Sequence, residues 1–261
     1  MYATNYMERN VLGIFNGSAF QAPGQLWLAL YLSNPTDTGT AGTEVNYPEY
    51  ARQPITFGVP FETSGGIGVN NTNSILFPLA SMDGGTVRNI GILDSGVIGS
   101  GNMLLYGELS DPMTIRAGQE PSVQPGDILY FIIGNSSKWF KTQIMNVLRG
   151  TSLQAITPFL CLFDGNPEGT GAELSGGSYA RPQIVFSSPV EQVTGQMLIQ
   201  NTQDIQFPAP TTNWGTWAWD AIRDAPTGGN LIYAYQNPNA EPIRKNYVPA
   251  VRAGQYRITI D

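Results

Sequence analysis

The stretch Leu26-Trp-Leu-Ala-Leu-Tyr-Leu-Ser-Asn-Pro35 decides the reading of this chain, because its pattern occurs twice. The apolar run Leu28-Ala-Leu-Tyr31 before Asn34-Pro35 returns as Leu160-Cys-Leu-Phe163 before Asn166-Pro167. A short apolar run closed by a turn dipeptide reads as a buried strand. Working outward, Gly17-Ser-Ala-Phe-Gln-Ala22 matches Gly150-Thr-Ser-Leu-Gln-Ala155, and Tyr50-Ala-Arg52 matches Tyr179-Ala-Arg181. Asn71-Thr72 with Phe77-Pro78 matches Asn201-Thr202 with Phe207-Pro208, and Asp94 matches Asp224. Order is kept throughout, which marks a tandem duplication with units at 1–134 and 135–261.

Each unit opens with a helical stripe. Thr4 or Asn5 caps Tyr6, Met7, Val11, Ile14 and Phe15 before Gly17; Ser136 or Ser137 caps Trp139, Phe140, Ile144, Val147 and Leu148 before Gly150. Such short helices are unstable alone and must lie on the sheet of their own half or of a neighbour. About six short strands follow in each half, separated by Gly, Pro, Asn and Asp clusters. The fold class is therefore all-β: two tandem antiparallel β-sandwich domains, each preceded by a short α-helix. A half of about 130 residues buries around two thirds of its unfolded surface, enough to fold independently.

Composition agrees and removes chemistry. Thirty Gly and nineteen Pro, with only 13% charged residues, exclude a helical bundle, while 41% apolar residues exclude a disordered chain. The sequence holds no histidine, which rules out Ser-His-Asp triads and His-based zinc sites. Its one cysteine, Cys161, aligns with Ala29 and reads as a small core residue. A net charge of −7 is the wrong sign for nucleic acid. No apolar stretch reaches the length of a membrane span, and the start has no basic region followed by an apolar run, so neither membrane insertion nor secretion is expected. No cofactor, metal or catalytic residue is expected.

Among the repeated residues, Tyr50/Arg52 and Tyr179/Arg181 read foremost as arginines that hydrogen-bond loop carbonyls beside a tyrosine, with a partner contact as the alternative. The acidic residues Asp83, Asp94, Asp220, Asp224, Glu108 and Asp111 contain no motif that assembles a glycosidase pair. Glu44 and Glu173 fall in Gly/Thr-rich loops without EF-hand spacing. In Trp214-Gly-Thr-Trp217-Ala-Trp219, the last two tryptophans, two residues apart, share one face of a strand, either core or interface. Tyr6, Trp139, Trp217 and Trp219 are the interface candidates, because aromatics concentrate at interface centres.

The words Gly-Ser/Thr-Ala, Tyr-Ala-Arg, Phe-Pro, Trp214-Gly-Thr216, Gly228-Gly-Asn-Leu231 and Ile258-Thr-Ile-Asp261 resemble the small β domains of tail fibre proteins in tailed bacteriophages. The second half carries the resemblance best; the first departs from it after Gly107. The resemblance implies a structural virion protein made in the host cytoplasm and partnered with tail or capsid subunits. Tail association as fibre, adaptor or tip comes first, head decoration second, and a receptor- or glycan-binding module third. Surface that a monomer would leave bare argues for a homo-oligomer, with a trimer the foremost form.

Overall fold

The computed structural model describes residues 1–64, 66–193 and 195–260. In the first half, β1 (Tyr2–Ala3) and α1 (Asn5–Gly13) precede β2 (Leu26–Tyr31), β3 (Gln53–Ile55), β4 (Phe61–Thr63), β5 (Gly66–Asn70) and β6 (Ile75–Leu76). β7 (Gly85–Leu93), β8 (Met103–Ile115), β9 (Ser122–Val123) and β10 (Leu129–Ile132) complete it. The second half runs α2 (Lys138–Val147), β11 (Phe159–Phe163), β12 (Val190–Glu191), β13 (Met197–Gln200) and β14 (Ile205–Gln206). It ends with β15 (Gly215–Arg223), β16 (Leu231–Ile243), β17 (Ala250–Val251) and β18 (Arg257–Ile260). The protein is all-β with two short helices, and its ladders are antiparallel.

One layer of the first half is the sheet β1-β8-β7-β2-β3, and the facing layer holds β10-β5-β4 with the pair β6-β9. The second half repeats this as β11-β15-β16 facing β12-β13-β18 with β14-β17. Alternation places Leu28, Leu30, Ile90 and Ile92 of one layer against Ile67, Val69, Tyr130 and Ile132 of the other, all buried.

The helices obey their predicted punctuation. The cap of α1 is Thr4, whose Oγ1 accepts from Met7 N and donates to the Met103 carbonyl at the start of β8. In α2 the Ser137 hydroxyl accepts from Phe140 N at 3.1 Å and donates to the Leu231 carbonyl at the start of β16. One hydroxyl thus caps each helix and pins it to the long strand of its own half. Gly17 and Gly150, at φ of 95° and 86°, end the helical segments in a conformation that favours glycine.

The other face of each helix crosses to the opposite half. α1 packs on β8 and also on β13 and β18, while α2 packs on β16 and on β5. Glu8, buried in α1, accepts a hydrogen bond from Met197 N of β13 at 3.0 Å. Phe20 and Leu153, equivalent residues of the two repeats, pair with each other through N–H···O bonds of 2.8 and 2.9 Å. Antiparallel pairing of equivalent residues places a local dyad between the repeats. A single main core consequently runs through both halves, where the Phe15 ring meets Phe140, Phe186 and Tyr233 at centroid distances of 5.8, 5.6 and 6.0 Å. Chain length alone permits two self-sufficient cores; the crossing helices join them.

Candidate functional site

The most elaborate side-chain constellation occurs twice, once per half. Arg52 donates from Nε and Nη2 to Glu44 at 2.9 and 2.8 Å, and from Nη1 to the Ser95 and Ser100 carbonyls at 2.8 Å each. Arg181 makes the same four bonds: to Glu173 at 2.7 and 2.6 Å, and to the Ala225 and Gly228 carbonyls at 2.8 Å. Tyr50 donates to Glu44 at 3.2 Å and accepts from Leu30 N at 2.9 Å; Tyr179 repeats this with Glu173 at 3.0 Å and Leu162 N at 3.1 Å. Burial raises both phenol pKa values well above the ordinary range. Each clamp ties the Thr/Gly-rich loop after the first long strand to the turn of the following hairpin. Four of the five N–H donors of each guanidinium are used within the clamp, so this arrangement serves first to hold loops together.

Glu44 and Glu173, read from sequence as loop carboxylates, are the partners of those arginines. Their signal was available: Glu44 precedes Arg52, and Glu173 precedes Arg181, by the same eight positions. Asn71 and Asn201 likewise do more than turn the local chain. Asn71 bonds Asn73 O two residues on, and also Gln124 O, Gly126 N and Ile128 N across the half. Asn201 repeats the pattern with Gln203 O, Arg252 O and Tyr256 N. Those distant partners are backbone atoms, which leave no trace in residue type.

The candidate carboxylates are held separately. Asp94 accepts from Asn102 N at 2.6 Å and Asp224 from Asn230 N at 2.6 Å, each closing a hairpin turn. Asp83 accepts from Ala117 N at 2.9 Å, and Glu108 and Asp111 are exposed on β8. Asp220 lies mostly buried with the Trp217 indole N–H donating to it. Burial pushes its carboxyl up to about 6, against the opposing pull of that hydrogen bond. Among the described residues, no cluster of acidic or thiol groups is placed to hold a metal ion, and no helix is long and apolar enough to cross a membrane.

The tryptophan pair requires a correction. Trp217 and Trp219 do not share a face: Trp217 packs on the main core, and Trp219 on a small outer cluster with Cys161, Phe163 and Ala221. The register of β15 against β16 jumps from Trp217↔Glu241 to Trp219↔Gln236, and this bulge reverses the alternation. β7 has the same bulge, with Val87 inside and Asn89 in the places of the two tryptophans. Trp214 is buried edge-on to Tyr179 at 5.0 Å. Of the other interface candidates, Tyr6 is half-buried edge-on to Phe20. Trp139 is 38% exposed at the wall of a cavity of about 430 Å³ between α2 and residues 152–157. The structure does not bring these four aromatics into one site.

This geometry describes a paired scaffold of clamped loops, and comparison with known families assigns it. The family model described as podophage GP4 fiber I protein gp80 matches residues 2–130 and again residues 135–259. The chain belongs to this family. Two adjacent copies of the gp80 domain account for nearly its full length, which agrees with the tandem duplication and the all-β fold. Membership in the gp80 family makes it a fibre-type structural protein of a phage particle. A search of curated proteins returned no match.

Proposed function

We propose that this protein is a tail-associated structural component of a podophage, mounted as a fibre, adaptor or tip part by contacts with other virion subunits and with copies of itself, and without catalytic activity. The observation that carries the reading is the double match to a fibre-protein family, laid over repeated loop clamps that use four of the five guanidinium donors internally. We take residues 1–134 and 135–261 as its two units. Neither contains a heptad or fibrous repeat from which a long shaft is built, so a compact joint or tip suits it better than a rod.

The same shaftless build favours a second reading, a decoration protein seated on the capsid. Immunogold labelling of intact particles separates the two. Gold on the tail supports the first, whereas gold over the head replaces it with the second. A glycan-binding role, for which exposed Trp139 beside its cavity is the motive, would appear as specific retention of the isolated protein on host surface polysaccharide.

A further inference from the structure

The duplication supplies an internal control for one cleft of the second half. A cavity of about 430 Å³ lies between α2, residues 152–157 and the hairpin that joins β15 to β16. Trp139 and, one helical turn further on, Gln143 stand on the same face of α2 and line one side of it. Gln154 lines the second side, Asp224 and Asn230 the third, and the buried Leu153 lies among them. Among the described residues, none hydrogen-bonds the Trp139 indole N–H or the side-chain amides of Gln143 and Gln154. Asp224 accepts from Asn230 N and Nδ2 at 2.6 and 2.7 Å, which uses two of the roughly four lone-pair sites of a carboxylate. The first half has Tyr6, Asn10, Phe20, Gln21 and Asp94 at the equivalent positions, and there the space and the amides are engaged within the protein. Phe20, in the place of Leu153, meets Tyr6 edge-on at 6.1 Å; Asn10 donates to the Tyr6 carbonyl at 2.8 Å, and Gln21 accepts from the Ser152 hydroxyl at 3.2 Å. The fold therefore forms with these groups satisfied internally, and the second half leaves them open.

We propose that this cleft binds a neutral pyranose sugar, with the C–H face of the ring on the Trp139 indole and the hydroxyls on Gln143, Gln154 and Asp224. The chemistry of the lining selects that class. A partly exposed indole offers a flat apolar surface with a polar edge, and a pyranose presents a flat C–H face rimmed by hydroxyls. Planar amides, which donate and accept, and a carboxylate with acceptor sites to spare are the groups that pair with hydroxyls. Among the described residues, no lysine or arginine lines the cleft, so a uronic or phosphorylated sugar would set an anion beside Asp224 without a counter-charge. The volume falls within the roughly 300–1,000 Å³ of small-molecule clefts. Two sides are also fixed in advance: Ile156 N bonds the Ile14 carbonyl at 3.0 Å, and Asp224 is held by Asn230. The inference deepens the glycan-binding reading above, and rests on it.

Saturation-transfer difference NMR on the full chain tests the proposal, with cellobiose, maltose, lactose and diacetylchitobiose as neutral probes and digalacturonic acid as the charged one. At least one neutral disaccharide should bind, and digalacturonic acid should not. Trp139→Ala should weaken binding about thirtyfold, as loss of a central aromatic anchor does. Leu153→Phe, copying Phe20, should fill the cleft without altering its polar groups and abolish binding by a second route. Both variants should unfold cooperatively near the wild-type temperature; if Leu153→Phe does not fold, Trp139→Ala, at a partly exposed side chain, still decides. Binding of none of the four neutral probes, equal binding of digalacturonic acid, or binding that Trp139→Ala leaves intact overturns the proposal. Retention on host surface polysaccharide that survives Trp139→Ala also overturns it while leaving the glycan-binding reading in place, so the cleft and that reading fail separately.

Discussion

At the scale of single residues, most of the ionic chemistry is structural. The side chains of Arg52 and Glu44 are only 2% and 12% exposed, and removing one partner of such a pair strands the other charge. Arg52→Ala should lower unfolding free energy by about 3–5 kcal/mol in urea titrations. Arg52→Lys should recover little of it, since an ammonium cannot reproduce the two-pronged bond to Glu44 or reach both carbonyls. Asp220 behaves oppositely. Its carboxyl is raised to about 6 by burial, so the folded state binds the proton more tightly than the unfolded state does. Its contribution therefore weakens stability as pH rises from about 4 to about 6, by up to roughly 3 kcal/mol, and stays unfavourable above that. Asp220→Asn, which keeps an acceptor for Trp217, should raise Tm at pH 8 and leave it nearly unchanged at pH 4; equal shifts at both values would refute the assignment. Cys161 is buried, with its thiol pushed up to about 12 mainly by desolvation. A thiol reagent should label it only after denaturation.

At the scale of elements, the helix caps and the bulges govern orientation. Ser137 joins the first turn of α2 to the Leu231 carbonyl, so Ser137→Ala removes a cap and leaves that carbonyl short of a donor. A loss of about 2 kcal/mol is expected by thermal or urea unfolding, above that of a solvent-exposed cap. The bulge opposite Ala218 gives Trp217 and Trp219 different fates under substitution. Trp217→Val, the residue of the first half, opens space in the main core and frees Asp220 from its donor. Trp219→Asn touches only the outer cluster. Differential scanning calorimetry should rank Trp217→Val as clearly the more destabilising, and the reverse order would contradict the assignment of faces.

At the scale of the whole molecule, the crossed helices make the halves interdependent. Phe15 belongs to the first repeat, yet its ring neighbours Phe140, Phe186 and Tyr233 belong to the second. Phe15→Ala should cost about 3–5 kcal/mol and lower a single unfolding transition rather than one of two. Residues 1–134 produced alone would expose the face of α1 that lies on β13 and β18, and the face of β5 that α2 covers. That fragment should be unfolded or aggregated, and mixing it with 135–261 should restore native spectra.

The duplication, the all-β class, the helix limits and the burial of Cys161 were legible in residue order, because turn chemistry and apolar period act over a few neighbours. The repeat also made Tyr50/Arg52 and Tyr179/Arg181 visible, and the loop carbonyls read as their partners are joined in the structure by Glu44 and Glu173, whose equal spacing went unread. Three features were decided only in the tertiary structure. A bulge created by the longer path of β8 and β16 separates Trp217 from Trp219, so counting by twos along β15 points one of them the wrong way. The crossing of α1 and α2 depends on a dyad whose pairing of Phe20 with Leu153 joins residues 133 positions apart. The cleft beside Trp139 exists because α2, residues 152–157 and the β15–β16 hairpin meet around it. Local pattern specifies what an element is and which side it buries; which elements meet, and what they leave bare, follows from contacts between distant parts of the chain.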